Sequence, residues 1–467
     1  MDWTTITGIV LALCAIGSAL AFGGVETLAF APAEFAVVLL AVVQFWRKGW
    51  PAVSRLTLWV LGIVVAIPLL QLLPLSAHVL STISPARVAL ARDLFSSIAP
   101  LEGGIALSVN SYETQLAILK LLCYLLVFLL AFQTYQLRSE QSALILMLLL
   151  LGLFEAVYGT VQYLTGRQDI FADAGKVYTY SRTGTYVNRN HFAGLLEMVL
   201  PFAMARMLVR VSSHEGEHRS RWKQMMASLL SVHLLRDIIV FAMIAVGLVF
   251  SRSRTGIVAA IVGMMLVAGI VFLQTRRRSV LVIGLLILAL PLCYSFWVGL
   301  NPVVERFEAL TLPGGLEQER LGVWSHTMNL IRDYPLLGTG LGTYRWANAH
   351  YQVYLLWGIF EHAHNDYLEF AADIGIPATV LLFGSFWVLA VKVARRAFLF
   401  ERAKDRVLAA GCAGAMVAML IHEITDFNLQ MPANAFIFAW IVGTAAALCR
   451  APVASAASSG PLPRSGP

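Results

Sequence analysis

Ten consecutive residues, Glu361-His362-Ala363-His364-Asn365-Asp366-Tyr367-Leu368-Glu369-Phe370, hold two imidazoles and three carboxylates. An imidazole with an ordinary pKa of about 6.5 is neutral at neutral pH and can accept a proton. His364 is therefore a candidate general base. A helix starting near it would disfavour the imidazolium through the field of its N-terminus and keep the ring neutral. Two other uses stay open on the residues alone. His362-x-His364 with Glu361 and Asp366 could bind a divalent metal, although an HxH pair points its rings to different sides of a helix. The cluster could also be structural. Asp426, in the turn His422-Glu423-Ile424-Thr425-Asp426-Phe427-Asn428, could orient a base or pair with an arginine.

Two further stretches offer cationic or polar groups. Ser251-Arg252-Ser253-Arg254-Thr255-Gly256 joins two apolar runs with almost no loop, which fixes Arg252 and Arg254 at a membrane boundary. A guanidinium presents a rigid fork of donors suited to phosphate oxygens, and the helix that follows aims its free N–H groups the same way. Arg182-Thr183-Gly184-Thr185-Tyr186-Val187-Asn188-Arg189-Asn190-His191 precedes another apolar run. There Arg182, Asn188, Asn190 and His191 are candidate contacts for a sugar or diphosphate, with helix capping by asparagine as the rival use. Gly338-Thr339-Gly340-Leu341-Gly342 superficially resembles a phosphate loop, but it follows no buried strand and lacks a P-loop lysine, so a turn is expected.

The elements that must position these residues are membrane helices. The chain has 467 residues, 58% hydrophobic and 13% charged, with a mean hydropathy of +0.74. A soluble domain carries about 25% charged residues. The fold class expected is an all-α polytopic membrane protein, since a transmembrane β-barrel would alternate with period two. Twelve spans are expected, at about 6–22, 28–45, 56–75, 114–135, 141–165, 190–209, 235–250, 256–274, 279–300, 374–394, 407–422 and 433–449. The third contains Pro68 and Pro74, and the seventh is short. The first has no basic residues before it and is read as a retained helix. Residues 1–450 form one integral membrane domain, including a polar outer segment at 301–373, and 451–467 form a disordered cytoplasmic tail. The five cysteines lie in or beside apolar runs and read as small core residues.

Lys and Arg set the orientation. With a cytoplasmic N-terminus, the even-numbered connections face inward and hold most of the basic residues; both termini are then cytoplasmic and 301–373 lies outside. The net charge of +7 reflects these loops facing anionic lipid, not nucleic acid. Arginines that stay outside need another reason: Arg182, Arg189, Arg252, Arg254, Arg306, Arg320, Arg332 and Arg345. Arg87, Arg92, Arg167 and Lys176 read as solvated or facing headgroups. A short helix is expected at 85–97, and the basic loop 210–234 is expected on the headgroups. In the outer segment a helix of about 317–333 carries an apolar stripe of Leu321, Trp324, Met328 and Ile331. A second runs from near His364 to Asp373; Gly375 ends it and Pro377 opens the next span. Arg320 sits in the first turn of its helix, against the dipole, and needs an anionic ligand or a nearby Glu317 or Glu319.

The chain resembles the O-antigen ligase superfamily, polytopic membrane glycosyltransferases that use polyprenyl-diphosphate-linked glycans. The residues that carry the resemblance are Gly184–Ala193, Ser251–Gly256, Glu319-Arg320-Leu321-Gly322-Val323-Trp324, Tyr334–Gly342 and His364-Asn365-Asp366-Tyr367-Leu368-Glu369, covering about 180–375. The resemblance implies a glycosyltransferase with no metal and no cofactor, with His364 as base and Arg254 and Arg320 on the diphosphate. It also implies a bacterial inner membrane, a periplasmic active site, a polyprenyl-linked donor and a glycan acceptor. The chemistry expected is inverting displacement: His364 takes the proton of an acceptor hydroxyl, such as one on the lipid A-core of lipopolysaccharide. Arg254 and Arg320, helped by Arg252 or Arg182, balance the departing diphosphate, and His362 and Asp366 contact substrate. A surface-polysaccharide or O-antigen polymerase is the alternative, followed by a protein O-oligosaccharyltransferase or a lipid-linked glycan transporter. A transporter would favour symmetry-related repeats and broken helices at mid-membrane, and the sequence shows neither.

Overall fold

The computed structural model describes residues 3–95, 104–136, 143–166, 183–213, 231–278, 316–352 and 360–450, with scattered positions between 280 and 289. The helices are α1 (Trp3–Leu20), α2 (Thr27–Lys48), α3 (Arg55–Gln71), α4 (Ala77–Ile83), α5 (Pro85–Phe95), α6 (Ser111–Gln136), α7 (Ala143–Thr165), α8 (Arg189–Ser213), α9 (Val232–Ser251) and α10 (Arg254–Thr275). They continue with α11 (Leu316–Asp333), α12 (Tyr344–Asn348), α13 (Asp366–Ile374), α14 (Ile376–Ala397), α15 (Ala403–His422) and α16 (Pro432–Arg450). The protein is an all-α multi-pass membrane protein; among the described residues ten helices are long and apolar enough to cross a bilayer. They match ten of the twelve expected spans.

The third expected span is α3, of 17 residues. It tolerates Pro68 but stops at Gln71, because Pro74, without an N–H, lies in a two-residue strand β1 (Pro74–Leu75) paired with β2 (Ile105–Ala106). The seventh, α9, runs the full 20 residues. The ninth expected span falls mostly outside the described residues, as do the tail and most of the basic loop 210–234. The helix expected at 85–97 is α5.

Burial separates a centre from a periphery. In α8, 94% of the apolar window is buried, and in α15 and α16 83%, against 28% in α14. Of these three central helices α15 and α16 are rich in Ala and Gly, which lets backbones approach closely. α8 packs on α15, α10 and α9, while α16 packs on α6, α14 and α15. The outer helices turn their large apolar residues outward, as a lipid-facing surface requires.

Every sequence stretch singled out above, where described, gathers at one end of this bundle: the start of α8, the α9–α10 turn, the end of α15 and the start of α16. The opposite end collects Arg47, Lys48, Arg206, Arg210, Arg236, Arg276, Arg395, Arg396, Arg402 and Arg450. There Arg206 and Arg210 of α8 and Arg236 of α9 converge on the buried Asp237, with N–O distances of 3.2, 2.9 and 3.0 Å.

Helices α11, α12 and α13 form a cap over the site end. The buried face of α11 is Val323, Thr327, Leu330 and Ile331, with Tyr334 just past its end, whereas Leu321 and Met328 are exposed. The expected stripe is thus rotated, because Thr327 turns inward to bond the Tyr344 hydroxyl at 2.7 Å. Trp324 donates its indole N–H to the Ala363 carbonyl at 3.0 Å, tying α11 to the histidine segment. Arg87, expected to be solvated, is buried and donates to the Ser108 carbonyl.

Candidate active site

The glycine segment before α12 is a turn whose backbone donors are already used. Gly338 N–H bonds Tyr334 O, Thr339 N–H bonds Ala372 O, and Gly340 N–H bonds Asp373 O. Leu341 N–H donates to the Gln71 side chain and Gly342 N–H to Asp373 Oδ2, at 2.9 and 2.7 Å. The loop wraps a carboxylate of its own chain, which settles it as a scaffold. Gly338, at φ +66°, has no alternative: a Cβ there would stand 2.3 Å from the Asp373 carbonyl. Burial and Glu369 push the Asp373 carboxyl up, against the N–H groups of Gly342, Thr343 and Tyr344.

This scaffold fixes α13. Asn365 caps it, accepting the Leu368 N–H at 3.1 Å. The helix therefore starts at Asp366, and His364 lies before the cap in a left-handed turn, φ +50°. A non-glycine residue there costs roughly 1–2 kcal/mol, and such strain concentrates at functional positions. The ring of His364 is half-buried and meets the edge of Phe427, with centroids 4.9 Å apart.

Phe427 joins the histidines. His362 stacks on it at 4.1 Å, and His191, from the first turn of α8, meets its edge at 4.7 Å. Each imidazole has a carboxylate beside it. His362 Nδ1 lies 2.8 Å from Glu369 Oε1, while Ala363 N–H donates to Glu369 Oε2. Burial alone would lower the His362 pKa; the charge and hydrogen bond of Glu369 outweigh it and hold the imidazole above its ordinary value. His191 Nε2 lies 3.5 Å from Asp426 Oδ1, and His422 Nδ1 lies 2.9 Å from Glu197 Oε2 on α8. Burial would raise the Asp426 carboxyl, but His191, then His422 and His364, hold it well below the usual carboxylate range. Asp426 thus serves the histidines.

The remaining expectations sort as follows. Arg252 ends α9 in a left-handed conformation and Arg254 opens α10; both are exposed at the bundle's end. Their turn is tied to the α15–α16 loop by a 2.8 Å bond between Thr255 and Thr425, next to Asp426. Arg320 is placed on α11 by its backbone; its side chain, and the whole of Arg182, fall outside the described residues. Asn188 accepts the Asn190 N–H at 2.9 Å, a capping contact, and Asn190 follows in the first turn of α8. Asp366, expected to contact substrate, is fully buried, and its Oδ2 accepts the Leu429 N–H at 2.9 Å.

A cavity of about 540 Å³ opens beside this cluster. Its walls come from α3, α6, α14 and α16. Along α6 it runs from Glu113 to Phe128, about 22 Å at 1.5 Å per residue. Most of the lining is apolar. The polar mouth carries His362, Glu369, Trp346 and the Arg345–Glu361 pair, 2.7 Å apart. The α15–α16 loop thus has the arginine turn on one side and the groove on the other, with Phe427 between.

Sequence reasoning missed Phe427, His422, Glu197 and Gln71. Glu197 had a usable signal, an ionisable residue inside an apolar run, and so did the i, i+4 pair His422 and Asp426. Phe427 had none, since an aromatic in a loop marks no neighbour.

A multi-pass helical membrane protein with a buried imidazole–carboxylate cluster beside a lipid-sized groove is the class that fold and site define. Residues 239–383 match the family model described as O-antigen ligase, which supports the O-antigen ligase superfamily. The match spans α9 into α14 and includes Arg252, Arg254, Arg320, His362, His364 and Asp366. It supports a function of O-antigen ligase or polymerase type, in a glycosyltransferase-like family. Comparison with curated proteins finds no match.

Proposed function

We propose that the protein transfers a glycan from undecaprenyl diphosphate to a sugar hydroxyl of an acceptor, the lipid A-core of lipopolysaccharide, at the periplasmic face of the inner membrane. The observation that carries this reading is His364. It is a half-buried imidazole in a strained turn, braced by Phe427 and Asp426, between an arginine turn and a groove able to hold hydrocarbon. His364 removes the acceptor O–H proton as that oxygen attacks the anomeric carbon. The bond from that carbon to the diphosphate oxygen breaks, and its electron pair leaves with the polyprenyl diphosphate, inverting the centre. A diphosphate leaves without a general acid, whereas glycosidases need two carboxylates because they expel an alkoxide. Arg254 and Arg320, helped by Arg252 or Arg182, balance the departing charge; one preorganised donor of this kind contributes about 3–4 kcal/mol. The prenyl tail lies in the groove. The basic residues collected at the far end of the bundle support cytoplasmic termini and a periplasmic site.

The test is mass analysis of the undecaprenyl-linked glycan pool in cells carrying wild-type or His364→Ala protein. Accumulated long polymers mean a ligase. Accumulated single repeat units mean a polymerase, which replaces the acceptor in this reading. An unchanged pool removes His364 as the base.

A further inference from the structure

Asp366 and Glu423 are buried carboxylates from opposite sides of the site, one opening α13 and the other ending α15. Their backbones and side chains interlock. Asp366 N–H donates to the carbonyls of Glu423 and Asp426, at 3.0 and 3.1 Å. Asp366 Oδ2 accepts Leu429 N–H at 2.9 Å, and Glu423 Oε2 accepts Asn428 N–H at 2.8 Å. That leaves one oxygen on each, Asp366 Oδ1 and Glu423 Oε1. Both are buried, and among the described residues no N–H or O–H group reaches either. The two carboxyl groups lie within hydrogen-bonding reach of each other. Two carboxylates can hydrogen-bond to each other only if one carries a proton, since two ionised groups would repel in a dry site.

We infer that Asp366 and Glu423 share a single proton, and that this shared proton is the latch holding His364 against Phe427 and Asp426. His364 lies two residues before Asp366, and Asp426 and Phe427 lie three and four residues after Glu423. The pair is one of several direct ties between the two segments and the one that depends on a proton. It positions the base and does not touch the reacting atoms. This role rests on the function proposed above, but the latch itself does not.

The surroundings agree. Burial pushes Asp366 up to about 8 and raises Glu423 strongly. The charged and titratable groups facing the pair are Glu369 and Tyr367 on α13, His362 before it, and Asp426 in the loop. Glu369 and Asp426 favour keeping the proton; His362 and the N–H groups of Leu429 and Asn428 oppose it. A carboxyl whose folded pKa is raised contributes stability at low pH that is lost as pH rises through the folded value. The latch therefore opens on the alkaline side.

The test compares Asp366→Asn, Glu423→Gln and Asp366→Ala in the purified full chain, with two readouts across pH 6 to 10. One is glycan transfer and the other is the thermal midpoint. An amide supplies a permanent N–H donor where the shared proton was. Asp366→Asn and Glu423→Gln are expected to keep transfer at neutral pH within about fivefold of wild type, the range of a near-isosteric change. Both should hold transfer and thermal midpoint to higher pH than wild type, whose values fall on the alkaline side. Asp366→Ala should lose about a hundredfold in turnover, as a base displaced by roughly 1 Å does. Coincident wild-type and amide-variant pH curves overturn the latch, and so do amide variants as inactive at neutral pH as Asp366→Ala. Should one amide variant not fold, the other decides. Where the wild type itself shows no transfer, a thermal curve shifted to higher pH in the amide variants upholds the latch and removes the proposed reaction instead.

Discussion

Replacing Phe427 separates the positioning of the histidines from the folding of the bundle. The ring is 7% exposed and touches three imidazoles, at 4.1, 4.7 and 4.9 Å. A ring–ring contact is worth about 0.5–1.5 kcal/mol beyond its buried area, so the three together hold about 1.5–4.5 kcal/mol. Phe427→Leu keeps most of the apolar volume and gives up mainly that part. Phe427→Ala also opens a cavity and costs about 3–5 kcal/mol in total. His364 feels the change most, because its left-handed turn is unfavourable and needs a wall to lean on. A displacement of roughly 1 Å costs about a hundredfold in rate. The leucine variant should therefore purify folded, with a thermal midpoint lowered by a few degrees. Its turnover should fall about 10- to 100-fold, with little change in half-saturating donor concentration. The assay is transfer of a lipid-linked glycan in proteoliposomes, followed by the size shift of the acceptor under donor saturation. Wild-type turnover in Phe427→Leu would refute the idea that this ring sets the base.

Other expectations follow from the same geometry. Asp426→Asn removes the negative charge shared by His191, His422 and His364 and should lower turnover about 100-fold while the protein stays folded; unchanged turnover in proteoliposomes would remove Asp426 from the site. Glu369→Gln removes the partner that raises the His362 pKa. Stability from that pair is fully present below about pH 6.5, the ordinary value, and is lost as pH rises through the raised folded value; the variant's thermal midpoint should not show that alkaline loss, and a midpoint curve parallel to wild type would contradict it. Gly338→Ala should destabilise by at least about 2 kcal/mol, from a left-handed backbone and a 2.3 Å approach to Asp373, read as lower yield and thermal midpoint. Asp373→Ala leaves the N–H groups of the glycine turn without their acceptor, at about 1–3 kcal/mol each, and inorganic phosphate should not restore the thermal midpoint.

What could be read in advance follows from which forces are local. The helices were legible because bilayer thickness sets a minimum apolar length, and ten of twelve expected spans correspond to helices of the right extent. The end of α3 was misplaced by four residues because the apolar run continues past Gln71, whereas the backbone must stop before Pro74. The stripe on α11 was misread because a threonine, polar by type, is buried through its bond to Tyr344. At the site, His191, His362 and His364 were identified by type, and the structure brings all three to one ring. Which carboxylate serves which imidazole was not legible. Glu197 and His422 lie more than two hundred residues apart, and only the packing of α8 on α15 joins them. Asp366 reads as a substrate contact from the types of its neighbours, whereas its burial and its bonds to Glu423, Asp426 and Leu429 come from packing that sequence does not show.

The central place of α8 has a consequence for how the chain is made. Its largest partner is α15, and the chain between Ser213 and Ala403 is about 190 residues long. At about 5–20 residues per second, α8 leaves the ribosome roughly 10–40 s before α15 exists. For that interval Glu197 has no His422 beside it, and surfaces meant for other helices face lipid. α15 is in turn the least apolar of the ten candidate spans and gains little from entering a bilayer alone. Biogenesis must therefore retain α8 at the insertion machinery, or shelter it with a membrane chaperone, until α15, near the end of the chain, arrives. Truncation before Ala403 should leave a fragment that is degraded rather than a smaller stable bundle, and pulse-chase lifetimes of such fragments would show it.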